Sequence, residues 1–209
     1  MPFPLDYTVS ALVTLLVVVD PVGLAPIFLA VTAGLPRRSR RQVAVRATLI
    51  AAAILMGTAV IGDWLLGTLG ISLPAFRIAG GLLLLWIATE MVFGSRAERK
   101  SKNVEGAAEE HVHHVAAFPL AIPLMAGPGA ITATVLLAGQ AGSEPMRHAV
   151  LIGVILLVCL ACFIVFAIAA RIAGWMGITG NVVLSRLLGV LLAALAVQFV
   201  IDGVKTAIG

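Results

Sequence analysis

Apolar residues occur along this chain in long unbroken blocks, with charge confined to the gaps between them. Blocks of about 20 apolar residues match what an α-helix needs to cross a bilayer. Six can be marked: Val9 to Ala33, Val43 to Leu65, Pro74 to Gly94, Ala116 to Gly139, His148 to Ala170 and Leu184 to Val204. Two of them are interrupted. The first contains VVVDPVGLAPIF from Val17 to Phe28, and the fourth contains AIPLMAGPGAIT from Ala121 to Thr132. An acid at membrane depth is expensive and marks a functional site by default. Helix-breaking residues survive there only where the freed backbone faces protein or a water-filled cavity.

The pattern also repeats. Gly67 to Ser72 reads GTLGIS and Gly174 to Thr179 reads GWMGIT, an offset of 107 residues that also superposes Pro21 on Pro128. With two residues more, Arg77, Gly80 and Gly94 fall on Arg186, Gly189 and Gly203. Each copy holds three spans, an odd number, so the copies insert upside down relative to one another. The expected fold is an all-α polytopic membrane protein of six transmembrane helices. It is built as two inverted three-helix repeats, with helices 1 and 4 broken. The expected divisions are residues 1–94, a linker over 95–115, and residues 116–209. Broken helices in corresponding positions of such repeats surround the binding site in many secondary transporters.

Composition supports the membrane reading: hydrophobic residues make up 61% of the 209 residues and charged residues 11%, with a mean hydropathy of +1.11. The first block lacks a basic leader and a cleavage site, and is expected to be retained as a span. The net charge of +4 gives no support to nucleic-acid binding, because the basic residues gather at span ends. Arg37, Arg38, Arg40 and Arg41 lie between spans one and two, and Arg96, Arg99, Lys100 and Lys102 between three and four. Those loops are expected on the cytoplasmic side, giving N-out and C-out.

Asp20-Pro21 reads as an N-cap followed by proline at the first helical position, so a half-helix should start at the membrane centre. Gly127-Pro128 does the same in span four, with Gly129 permitting close approach and Thr132 and Thr134 placing hydroxyls just inside. Two helix N-termini then converge, and their unpaired N–H groups suit a carboxylate. Asp20 would either cap its own half-helix or meet a cation, and the two roles are compatible. Pro26 and Gly23 belong to the first break, and Gln198, deeper in span six than other polar residues, is a secondary candidate. Glu90, Arg46, Arg77 and Arg186 are read as interfacial. Cys159 and Cys162 form a C-x-x-C on one helix face and are read as packing rather than redox groups. His111, His113 and His114 beside Glu109 and Glu110 fit no closed metal-ligand spacing, and no metal or other cofactor is expected beyond a coupling proton or sodium ion.

The stretches DPVGLAPIF and PLAIPLMAGPGAIT resemble the two signatures of the MarC family of bacterial and archaeal inner-membrane proteins, and the resemblance covers essentially the whole chain. It implies similarity to small neutral amino-acid transporters, some described as moving glycine, alanine or similar substrates with a coupling ion. One departure stands out: the family's first motif usually runs Asp-Pro-x-Gly-Asn, and here Leu24 takes the Asn position. A different ligand preference, or binding through the second break, would follow. The expected activity is secondary transport of a small zwitterionic solute and not enzymatic catalysis. The zwitterion's carboxylate would face the N-termini near Gly23 and Gly129, and its ammonium would face Asp20. The alternatives are an exporter or channel for another small solute, or a thiol oxidoreductase using Cys159 and Cys162. Beyond lipid and solute, homo-oligomerisation is left open.

Overall fold

The computed structural model describes residues 4–94, 120–142 and 144–208, and these are all helix and connecting turn, without a strand. The expected linker and its three histidines lie outside the described residues. Helix α1, Leu5–Val19, stops at Asp20, and α2, Pro21–Val31, continues the same span beyond it. Helix α3, Arg37–Thr68, starts after Pro36. It ends in a Schellman turn, where Ile71 N donates to Leu66 O (2.9 Å) and Gly70 N to Gly67 O (3.1 Å). Gly70 supplies the positive φ of 68° that this turn requires. Helix α4, Leu73–Phe93, follows at once, capped by Ser72 and closed by Gly94 at φ 84°.

The second half opens with a π-helical turn, Leu120–Met125, in which Ile122 is extended. Helix α5, Pro128–Ala141, then begins after Gly127. Helix α6 is Pro145–Ala167, and α7 is one helix from Ala169 to Ile208. The loop expected before Leu184 is therefore helical, which corrects the expectation of a loop there, while the apolar stretch within α7 that is long enough to span, Val182–Ile208, lies close to the expected span six. The first copy turns at this place because Gly70 takes a left-handed conformation and Pro74 sits two positions into the next helix. The second copy has Asn181 and Val183 where a proline would fall, and glycine alone is tolerated within a helix at about 1 kcal/mol.

Among the described residues, five stretches are long and apolar enough to cross a membrane: Leu5–Val31, Arg37–Thr68, Leu73–Phe93, Pro145–Ala167 and Val182–Ile208. Within those residues, the fourth expected span comprises the π-helical turn plus α5, which at 14 residues reaches about 21 Å against a hydrocarbon core of about 30 Å. Helix α5 is instead the most enclosed element, with Thr132 through Gly139 all buried. It is packed by α1, α3, α4 and α6. The outer helices carry the opposite signature. Val60, Trp64, Leu82, Trp86, Leu157, Leu160, Leu187 and Val190 are exposed around the bundle, a surface that suits lipid and would be a liability in water.

Without a hydrophobic force between helices in lipid, close approach at small residues holds the bundle together. The most extensive packing joins α4 and α7. A Cβ at Gly81 would lie 2.7 Å from Ala196 O, and one at Gly189 would lie 3.1 Å from Ala88 O. On the neighbouring face, a Cβ at Gly80 would meet the Thr132 and Leu136 side chains of α5 at 2.7 and 2.8 Å. The Gly80-Gly81 pair thus clamps α4 between two partners. At one end of the bundle Tyr7 Oη donates to Leu137 O (2.9 Å), and Arg147 Nη1 donates to Gln140 O (3.2 Å) in the last turn of α5.

Candidate functional site

The first break is built by three residues. Pro21 lacks the N–H that would continue α1, and Asp20 takes a left-handed conformation (φ 57°, ψ 67°), alone in this among the described non-glycine residues. Aspartate tolerates that region better than most side chains. Its Oδ1 accepts from Gly23 N at 3.0 Å, so the cap expected at Asp20 is present. Any Cβ at Gly23 would overlap the Asp20 carboxylate. Gly23 is therefore the space into which the carboxylate folds. Asp20 is 5% exposed and Pro21 is buried. Pro26 interrupts α2 a second time, on an exposed face. Since Pro21 and Pro26 have no N–H, the carbonyls of Val17 and Val22 lose their usual helical donors. At the first break itself the Asp20 carboxylate and the Val17 carbonyl are acceptors, while the Val22 carbonyl is freed on the exposed Pro26 face.

The second break has the opposite character. Gly127 is extended (φ −79°, ψ 175°) and gives α5 no side-chain cap. Pro128, exposed, contributes no N–H, and the helical ladder begins with Ile131 N donating to Gly127 O (3.0 Å). The N–H groups of Gly129 and Ala130 head the helix at its positive end. Thr132 is buried with its methyl toward Gly80. The Thr134 hydroxyl is engaged within its own helix, donating to Ala130 O (2.7 Å).

The two breaks lie side by side. A Cβ at Gly129 would stand 3.3 Å from Val18 Cγ1 and would overlap Ile87 of α4. At the far ends of the same pair of helices Tyr7 reaches Leu137. Helices α1 and α5 are therefore antiparallel, with the end of α1 against the start of α5. Helix α2 departs from that junction one way and α5 the other, so both N-termini are at one place. Acceptors face from the Asp20 side and donors from the Gly129 side.

One residue of this junction carries no sequence signal. Tyr7, Ala11, Thr14 and Val18 follow the three-and-four spacing of a single helix face, and the contacts of Tyr7 and Val18 show that this face meets α5. Thr14 is fully buried, and its hydroxyl has no hydrogen-bond partner among the described residues. Interpolating between the Val18–Gly129 and Tyr7–Leu137 contacts puts it level with Thr132.

Other candidates lie elsewhere. Gln198 is on an exposed face of α7, its Nε2 donating to Asp202 Oδ1 at 2.8 Å. Glu90 accepts from Trp86 Nε1 at 3.0 Å on an exposed face of α4, and Arg46 is exposed. Cys159 and Cys162 are both buried in α6 and are not joined as a disulfide. No cluster of three or more metal-ligating side chains occurs among the described residues.

Residues 5–208 match the MarC family of integral membrane proteins. Among curated relatives, a UPF0056 membrane protein of Methanocaldococcus jannaschii is 35% identical over 98% of both chains. One of Archaeoglobus fulgidus is 37% identical over 95% of this chain and 92% of its own. The UPF0056 membrane protein YhcE of Escherichia coli is 34% identical over 91% of this chain and 88% of its own. No solved structure matches the chain. With the family profile spanning nearly every residue and the relatives matching end to end, the chain belongs to the MarC family of integral membrane proteins.

Proposed function

We propose that this protein is a secondary transporter of a small zwitterionic solute, of the size of glycine or alanine, coupled to a proton or sodium gradient. The observation that carries the reading is the abutment of the two breaks, Val18 against Gly129, which pairs the Asp20 acceptor cluster with the uncapped N-terminus of α5. A free amino acid has the complementary dipole. Its carboxylate matches the Gly129 and Ala130 N–H groups, and its ammonium matches Asp20 with the Val17 carbonyl. The same oxygens suit a coupling cation. Leu24 in the first turn of α2 is fully buried and apolar, which suits a solute with a small apolar side chain.

Helix packing supports the inverted-repeat architecture within this reading. Pairing span one with four, two with five and three with six, the contacts of α3 with α5 correspond to those of α6 with the α1–α2 span. Those of α4 with α5 correspond to those of α7 with α2. Each equivalent pair also touches, which is compatible with a two-fold axis in the membrane plane passing between them. The reading places the protein in the cytoplasmic membrane with six crossings, the N-terminus and C-terminus outside, and alternating access by rocking one repeat against the other. A thiol oxidoreductase fits less well, because a redox thiol needs access and both cysteines are buried.

Equilibrium binding of labelled alanine to the purified protein tests the site. Asp20→Asn keeps a good cap and a side chain at ease in the left-handed region while removing the charge. Saturable binding that drops at least about tenfold in this variant is expected, by the strength of a charge-assisted hydrogen bond. Binding unchanged in a folded Asp20→Asn protein would remove Asp20 from the site.

A further inference from the structure

We propose that a cavity at the basic end of the bundle binds the phosphate group of an anionic lipid. This cavity, of about 530 Å³, lies between the end of α2, the start of α3, the end of α6 and the start of α7. Arg37, Arg40 and Arg41 line it from α3 and Arg171 from α7, and no acidic side chain is among the described lining residues. Arg40 Nε donates to Leu35 O at 3.1 Å, leaving the rest of that fork available.

Four guanidiniums around one cavity repel one another unless an anion joins them, and arginine forks match phosphate oxygens in pairs. Helix geometry adds to the attraction. Both α3 and α7 begin here, and α3 has only Pro36 at its N-cap, with no side-chain acceptor. A transported zwitterion carries no net charge and does not answer four cations. Asp20, Gly23, Gly127 and Gly129 of the breaks do not line the cavity, whose lining includes the stacked rings of Phe28 and Phe166, with centroids 4.6 Å apart.

The opposite wall identifies the ligand as an amphiphile. Phe28, Phe163 and Ile168 line it, and Ile168 is 39% exposed, opening toward the lipid-facing surface. A headgroup phosphate would sit on the arginines while an acyl chain lies along these side chains, as basic pockets between membrane helices hold acidic lipids. A soluble phosphate compound offers the same headgroup chemistry without the chain.

Delipidated full-length protein, titrated in detergent and followed by native mass spectrometry, separates these cases. The ligands are phosphatidylglycerol, phosphatidylcholine with the same acyl chains, and sodium phosphate as competitor. Phosphatidylglycerol should be retained at least about tenfold more tightly than phosphatidylcholine. Arg37→Gln combined with Arg171→Gln should weaken it about 25-fold, or fivefold per arginine, and leave phosphatidylcholine unchanged. Lysine at both positions keeps the charge but not the fork and should weaken binding less than glutamine does, which separates loss of charge from loss of fold. Arg186→Gln, outside the cavity, should have no effect. Failure of millimolar phosphate to displace the lipid assigns the source as lipid. Displacement keeps the phosphate site and assigns it a soluble occupant. Equal retention of the two lipids by the native chain, or a preference that survives the double glutamine variant, would overturn the proposal.

Discussion

Asp20 caps α2 and, under the transport reading, also meets the solute's ammonium; these tasks have different requirements, and substitution can separate them. Asp20→Ala removes the cap and puts an unfavourable side chain in the left-handed region. The expected loss is roughly 2 kcal/mol, read as a lowered melting temperature in detergent. Gly23→Ala should be at least as damaging, because its Cβ meets the carboxylate itself. Thr14→Val makes the converse prediction. The threonine hydroxyl is buried without a partner, so an isosteric methyl should leave the melting temperature equal or higher. Under the transport reading it should reduce solute affinity. A fall in stability with unaltered affinity would make Thr14 structural. The Asp-Pro and Gly-Pro pairs were legible in the sequence, because proline and a capping residue impose local geometry wherever they occur. Thr14 was not legible. Most threonines in apolar helices return the hydroxyl to the carbonyl four residues back, as Thr32, Thr58 and Thr134 do here. Nothing in the sequence tells which one does not.

At the scale of elements, the glycines mark how closely helices must approach. Gly81 lies against the backbone of α7, where a neighbour cannot rotate away. Gly81→Val should therefore destabilise the α4–α7 pair by about 1–3 kcal/mol, as overpacking does, measured by thermal unfolding in micelles. Gly57, with nothing within 4 Å of an added Cβ, should accept alanine with little change. The sequence repeat had already aligned Gly80 with Gly189, yet their partners differ: Gly80 faces α5, and Gly189 faces α4. Alignment located these positions, but only packing assigns their contacts. The helical stretch before Leu184 was also beyond reach of the sequence. Its glycines signal a turn in the first copy, where Pro74 reinforces them, and are absorbed into a helix in the second.

Considered as a whole molecule, the bundle surrounds two broken elements, α1–α2 and α5, with four outer helices whose exposed faces are apolar. Under the transport reading, with six crossings and the basic loops expected on the cytoplasmic side, reporters fused at the N-terminus and C-terminus should both register outside the cytoplasm. Opposite readings at the two ends would require an odd number of crossings and leave α5 as a buried re-entrant piece. The measurement that bears most directly on the account is uptake of labelled glycine and alanine into proteoliposomes, under imposed proton and sodium gradients, with Asp20→Asn alongside. Saturable uptake that needs one gradient and is lost in the folded Asp20→Asn protein is the predicted result. No uptake under either gradient, from protein shown to be folded and inserted, would contradict the transport reading.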